Sequence, residues 1–328
     1  MQIPKRIEVV RSNVKGLSSL NPQSANSVIT SLSQTYSHVI LTTINNSDDV
    51  AALIARKPDL VFLGIKRTVD STNTAKRVWV SELLEQAGIP HTGSTSPAHQ
   101  LELFKDRAKQ RIIEHGLATA PFCIISVDQP YRKDIIDLEF PLFVKPLSGG
   151  GGQGIDQFSV VHTPEQLHEK VLSLRRDHST SVLVEQYLEG REFSVAIIND
   201  AATGKLTAMP LELIAPQDVN GDRMLSNSIK SADREETFRL ENLTEHSLIS
   251  TFALDAFRAL GARDYGRIDI RLDGEGIPHF LEANLIPSLI SDYGSFPKAY
   301  KLNKGVEYDE MIGNIAALGL SRTAVIRL

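Results

Sequence analysis

The chain has almost no cysteine, one tryptophan and no long apolar run, and each shortage removes a class of protein from consideration. A single cysteine, Cys123, allows no intramolecular disulfide and no cysteine-based zinc site. Inside the apolar run PFCIISV it reads as buried filler. No segment approaches the roughly 18 apolar residues of a membrane span, and the opening MQIPKRIEVVRSN has no apolar targeting core. The expectation is a cytoplasmic protein with no membrane partner. Positive charge is not in excess either: 35 Lys and Arg stand against 40 Asp and Glu, a formal net charge of -5, and the basic residues are scattered. That leaves no electrostatic footprint for nucleic acid.

What remains is an ordinary globular composition, 41% hydrophobic and 23% charged over 328 residues, enough for two or three packed units. The first hundred residues alternate strands (RIEVV, HVILTTI, DLVFLGI) with helices from about Ala25, at SDDVAALIARK and around Val78 to Gly88. This is the pattern of a doubly wound parallel α/β sheet. A turn-rich stretch then leads into one long helix expected from about Ala98 to His115. From Pro121 the texture becomes α+β, with hairpins and strands. Three units are expected: 1–96, 97–184 and 185–328. The polar run from Gln217 to Asn242 is long for a passive connection and reads as a functional loop.

The stretch VKPLSGGGGQGIDQF, Val144 to Phe158, places five glycines in six positions. Gly149, Gly151 and Gly154 formally satisfy the spacing of a dinucleotide-binding turn. The flanks argue otherwise, because FPLFVK before it and IDQFSVV after it both read as strands, with no helix to receive a pyrophosphate. A glycine loop between two strands is a flap, whose amides can close over phosphate oxygens because no Cβ holds the backbone away. Near the C-terminus, GRIDIRLDGEGIPHFLEANLIPS reads as a hairpin. Period two puts Glu282 and Asn284 on one face of its second strand, and Asp269 can sit opposite. Three oxygen ligands of this kind suit magnesium. Lys145 lies on an otherwise apolar strand and, once buried, must meet an anion.

Together LELFKDR, PLFVKP with its glycine flap, VEQYLEGREFSVAI, GRIDIRLDGEGIPHFLEANLIPSL and the closing FPKA…YDEMI resemble the ATP-grasp enzymes, and within them the D-alanine–D-alanine ligase family, over nearly the whole chain. The resemblance implies an ATP-grasp fold behind an N-terminal doubly wound unit, with ATP and magnesium as cofactors, two ions that manganese can replace. It implies that Lys105, Lys145, Gly149, Gly150 and Gly154 contact ATP phosphates, and that Glu185, Gln186, Tyr187 and Leu188 hold adenine. Glu192 takes the ribose hydroxyls. Asp269, Glu282 and Asn284 match the metal ligands, and Lys230 the lysine that reaches the γ-phosphate. Gly151 and Gly152 stand where the flap carries catalytic serines. Arg267 matches the arginine facing the acceptor and the tetrahedral intermediate, with Ser288, Gly294 and Ser295 beside the acceptor.

The departures from that family lie around the first substrate. Besides the two serines replaced by Gly151 and Gly152, a tyrosine is replaced by Ser231, an N-terminal glutamate by the region of Leu17, and the HGxxGEDG stretch by GIKRTVDST, which brings in Lys66 and Arg67. The expected activity is an ATP-dependent carboxylate–amine ligase that passes through an acyl phosphate, accepts an amino acid as amine and releases ADP and phosphate, acting as a homodimer on small molecules. The alternatives are a degenerate ATP-binding regulator and a true D-alanine–D-alanine ligase. With Arg11, Lys66 and Arg67 offer two readings, a basic first-substrate pocket for an anionic or bulkier acid and a solvated surface, of which the solvated surface is the favoured one.

Overall fold

The computed structural model describes residues 2–128, 137–149, 152–226, 228–229, 232, 234–291 and 293–322. The chain starts with β1 (Ile3–Arg11), α1 (Pro22–Thr35), β2 (Tyr36–Thr43), α2 (Ser47–Ala55) and β3 (Leu60–Leu63). The strands pair in parallel in the order β2-β1-β3, as the alternating pattern predicts. Their apolar runs are buried because helices cover them, and the helices start where local chemistry lets them. Asn21 caps α1 with Pro22 behind it, and Asn46 with Asp49 forms a capping box on α2. A short antiparallel hairpin follows, β4 (Arg67–Val69) and β5 (Arg77–Trp79), then α3 (Val80–Gln86). Val78 and Trp79 thus pair as strand, where a helix is expected from Val78.

The expected long helix is two, α4 (Ser96–Leu103) and α5 (Lys105–Glu114). They part at Phe104, whose φ of -108 and ψ of 89 leave the helical region and whose backbone bridges Ser148 beside the glycine segment. A contact 44 positions away overrides local helix propensity. β6 (Phe122–Ile125), β7 (Leu142–Pro146), β8 (Val160–Val161) and β9 (Val182–Gln186) form an antiparallel sheet in the order β6-β9-β7-β8. Helix α6 (Pro164–His178) packs on it through Leu167, Val171 and Leu174. β7 and β8 flank the glycine segment as a hairpin. The second strand is shorter than IDQFSVV suggests: Asp156 and Ser159 exchange hydrogen bonds in a turn, and Asp156 is held by Lys170 at 2.7 Å. The boundary expected at 184/185 falls inside β9, which pairs with both β6 and β7.

A second antiparallel sheet follows: β10 (Glu192–Asn199), β11 (Leu206–Ile214), β12 (Glu236–Arg239), β13 (Tyr265–Leu272) and β14 (Pro278–Asn284), ordered β12-β11-β10-β13-β14. Helix α7 (Leu243–Ala259) covers one face, where Phe193, Val195, Ile197, Ile268 and Ile270 meet Phe252, Ala256 and Phe257. Alternation leaves Glu192 and Ser194, and Arg267, Asp269 and Arg271, on the opposite face. The last helices, α8 (Ser295–Lys304) and α9 (Tyr308–Ser321), carry a core shared by the first and last sheets, in which Ile315 and Phe296 join Ile7 and Phe62 to Ala196 and Met209. The fold is α/β followed by α+β. Among the described residues no helix is long and apolar enough to cross a membrane.

Candidate active site

The site begins as a register. Across β13, Asp269 is paired with Ser194 on β10 and with Glu282 on β14, and Arg267 with Asn284. Cross-strand neighbours lie close enough for side chains to meet, and here they do. Ser194 donates to Asp269 Oδ1 at 2.9 Å, and Asn284 Nδ2 reaches Oδ2 at 3.3 Å. Arg267 forks onto the same carboxylate, with Nε to Oδ1 at 2.9 Å and Nη2 to Oδ2 at 2.8 Å, while Nη1 donates to Ser295 Oγ at 2.9 Å. Burial works against the Arg267 charge, but Asp269 outweighs it and holds the guanidinium above its ordinary pKa. Two carboxylates and an amide on adjoining strands are a hard oxygen donor set of the kind magnesium takes; the residues fit such an ion. The fork expected for an acceptor carboxylate is taken by Asp269. The Gly294 amide, expected near the acceptor, donates instead to Ile290 O at 2.9 Å within its own turn. Ser288 stands behind it, its carbonyl against the Cα of Gly294.

Lysines converge from a second direction. Starting α5 directly after the Phe104 bridge aims Lys105 at the glycine segment, where Nζ donates to Gly149 O at 2.7 Å. Lys145 on β7 lies 2.5 Å from Glu185 Oε2 on β9, and Lys109, one turn along α5 from Lys105, meets Oε1 of the same carboxylate. Lys109 is 0% exposed and also donates to Thr119 Oγ1 at 2.6 Å. Burial raises the Glu185 carboxyl, yet Lys109 and Lys145 prevail and hold it below the usual range. Burial pulls Lys105 down to about 8, against the attraction of Glu282 and Glu185. Lys109 is the residue missed in the sequence, although its i+4 spacing from Lys105 on a helix was a signal for a shared face. Gly149, Gly152 and Gly154 take φ values of 104, 71 and 73, a region side chains avoid. A Cβ at Gly154 would also stand 2.6 Å from Pro146 Cγ. Gly150, Gly151, Lys230 and Ser231 lie outside the described residues.

Between the sheets is a cavity of about 80 Å3. Its walls include Lys145, Glu185, Tyr187, Glu192, Asp269 and Glu282, and Gln186 and Leu188 line it too. The metal-type and lysine groups therefore border one space with the segment expected to hold adenine. Arg271, also in the wall, is a second residue the sequence did not single out. On the N-terminal side Lys66 does not stand as a free cation: it pairs with Glu102 on α4 at 2.7 Å and donates to Ser19 Oγ at 3.3 Å. Burial still raises the Glu102 carboxyl above its ordinary pKa, against the pull of Lys66. Arg11 turns to Asn13 Oδ1 at 2.6 Å, and burial, then Arg77, depresses the Arg67 pKa. A basic pocket of these three residues is thus partly neutralised.

A family model described as D-ala D-ala ligase C-terminus matches residues 112–317. A protein of Cupriavidus metallidurans named D-alanine–D-alanine ligase is 28% identical over 268 residues, covering 82% of this chain and 78% of that one. An uncharacterized protein of Sinorhizobium fredii is 31% identical over 241 residues, 72% of this chain and 68% of the other. A crystal structure of the D-alanine–D-alanine ligase of Bacillus anthracis, complexed with ATP, superposes with a TM-score of 0.76 at 20% identity, covering 99% of this chain and 100% of that one.

Proposed function

Because the chain belongs to the D-alanine–D-alanine ligase family, we propose that it uses ATP to activate a carboxylate and joins it to an amine, releasing ADP and phosphate. The observation that carries this reading is the buried charge. Lys105, Lys109 and Lys145 gather around one carboxylate, Glu185, and Glu282 is close enough to attract Lys105 and Lys109 as well. Three buried ammonium groups against two carboxylates leave an excess that a triphosphate would offset.

In this reading the cavity takes adenosine against Glu185 to Leu188, and Glu192 accepts from the ribose hydroxyls. The glycine segment covers the phosphates and excludes water, since backbone amides can approach where no side chain stands in the way. Lys105 and Lys145 neutralise the transferring phosphoryl group by position, with Lys230 assigned the same task. Asp269, Glu282 and Asn284 would hold magnesium, which supplies charge neutralisation between phosphate oxygens. Arg267 has two of its five N–H donors without an acceptor among the described residues, and these serve the oxyanion formed when the amine attacks the acyl phosphate. A single donor of that kind is worth about 2.7–4 kcal/mol. Arg267 also holds Asp269 in register.

The first acid is a separate matter. The segment from Arg11 to Leu20 contains no carboxylate, and Glu102 is already engaged by Lys66. An α-ammonium group finds no unengaged acid there, so D-alanine is a poor first substrate in this reading. The test is ADP release over paired acids and amines with mass detection of products. ATP-dependent coupling of at least one pair, with little D-alanyl-D-alanine from D-alanine alone, is the expected result. ATP binding with no acid-dependent turnover on any pair would favour a binding-only protein, and efficient D-alanine coupling would restore the first substrate of the named relatives.

A further inference from the structure

Arg271 has no part in the chemistry above, yet it is the most heavily engaged side chain in the cavity wall. It sits two residues beyond Asp269 on the same face of β13, and its Cα partner on β10 is Glu192. Nε donates to Gly190 O at 3.1 Å, Nη1 to Glu192 Oε2 at 3.3 Å and to Arg223 O at 2.9 Å, and Nη2 to Tyr187 Oη at 2.9 Å. The guanidinium also lies 4.7 Å from the centre of the Tyr187 ring. Four of five donors are taken by protein, so this cation is not held ready for a phosphate. The Tyr187 hydroxyl is equally committed: it donates to Arg223 O at 2.9 Å and accepts from Arg223 N at 3.0 Å. One planar group therefore ties three things together: the carboxylate of Glu192, the ring of Tyr187 and the backbone at Arg223, beside the wall residues Met224 and Leu225.

We propose that Arg271 is a positioning residue that makes the nucleotide pocket selective for a ribose over a deoxyribose, by fixing the Glu192 carboxylate and fastening the segment at Arg223 over it. This rests on the cavity being the ATP site. A carboxylate tethered through one oxygen by Arg271 Nη1 is held in a narrow range of orientations toward a diol, and a pocket built to bond a hydroxyl discriminates strongly against the analogue lacking it. Lysine cannot reproduce the arrangement, because an ammonium group has neither the plane that stacks on Tyr187 nor the spread of donors that reaches Glu192, Gly190 and Arg223 at once.

The experiment compares ATP with 2′-deoxy-ATP in the full-length protein, by nucleotide affinity and by steady-state turnover on the best acid and amine pair. The wild type is expected to prefer ATP tenfold or more in KM. In Arg271→Met the ATP KM rises about tenfold while that for 2′-deoxy-ATP moves little, so the preference collapses toward one, and kcat falls less than KM rises. Glu192→Gln should give the same collapse, with the double variant no worse than either single one. Amide exchange around Arg223 should quicken in Arg271→Met. If that variant fails to fold, Tyr187→Phe carries the test, since it deletes only the hydroxyl shared by Arg271 and Arg223 and should lower the preference in part. An unchanged ATP preference in a folded Arg271→Met, or in Tyr187→Phe where that variant alone folds, overturns the inference. Absence of ATP binding in the wild type would instead overturn the assignment of the cavity.

Discussion

Lys105 shows how far a single side chain is readable. Its proposed role toward phosphate rests on the LELFKDR segment, but its charge state is not legible there, because that depends on burial, and Lys105 is buried with its Nζ against Gly149 O. With its pKa brought down to about 8, the ammonium form is present below that value and is lost as pH rises through it. ATP binding above pH 8 then requires proton uptake. Affinity is expected to be level from pH 6.5 to 7.5 and to weaken above pH 8, by up to about tenfold per pH unit. Lys105→Arg, which stays charged, should flatten the profile; titration calorimetry at several pH values reads both. Glu282 poses a simpler question. Glu282→Gln keeps the shape of a strand side chain and removes one ligand charge, so turnover should fall at least a hundredfold while the melting temperature stays within a few degrees. Wild-type turnover at saturating magnesium would remove Glu282 from the metal set. Lys109 and Arg271 escape a reading of the sequence because their partners, Glu185 and Tyr187, are 76 and 84 positions away, and apart from the i+4 spacing of Lys109 from Lys105 nothing local to either residue distinguishes it from a solvated cation.

At the scale of elements, local pattern serves well where a segment's neighbours are also its sequence neighbours. The β13–β14 hairpin is legible as two strands and a turn after Leu272, but its register is not: from the turn, alternation would set Asp269 opposite Leu281, and a bulge at Leu281 is what brings Glu282 opposite Asp269 instead. The helix expected from Ala98 to His115 is not, because the bridge from Phe104 to Ser148 breaks it. The segment from Ile155 to Val161 alternates like a strand but turns at Asp156, where Lys170 from α6 competes for it. The glycine segment yields a prediction at this scale. Gly154 combines a φ of 73 with a Cβ position 2.6 Å from Pro146 Cγ and 2.9 Å from Leu174 Cδ2. Gly154→Ala is expected to cost roughly 1–3 kcal/mol in strain, and to raise the ATP KM by shifting the flap off α6. Denaturant melts and ATP titration on one preparation test it; wild-type stability together with wild-type affinity would show that the turn tolerates a side chain.

In the whole molecule, the first and last sheets share one core beneath α8 and α9, where Ile315 is fully buried among residues from both. Asp264 reinforces the seam by taking Arg322 at 2.6 and 2.8 Å and the amide of Gly93 at 2.8 Å. Ile315→Ala should therefore cost about 2–5 kcal/mol and lower both sheets in one transition. An N-terminal unit that melts separately, with the ATP site still able to bind nucleotide, would contradict a shared core.

The face of β13 that carries Arg267, Asp269 and Arg271 also works as a ruler. Successive side chains on one face of a strand stand two residues apart, so the three mark off about 13–14 Å, with the proposed oxyanion donor at one end and the proposed ribose clamp at the other. A length of chain cannot be added or removed between them without turning every second side chain over, since a one-residue slip would send the charged groups toward Phe252 and Phe257 and bring Ile268 and Ile270 out into the cavity. The same holds for β10, which pairs with that strand without interruption, whereas β14 takes one extra residue at Leu281 and so brings Glu282 opposite Asp269. Substitutions on this face can therefore change one group at a time, while a one-residue insertion in β13 between Arg267 and Arg271 is expected to disrupt the whole face and one in the turn from Asp273 to Gly276, beyond the last mark, to leave it in place.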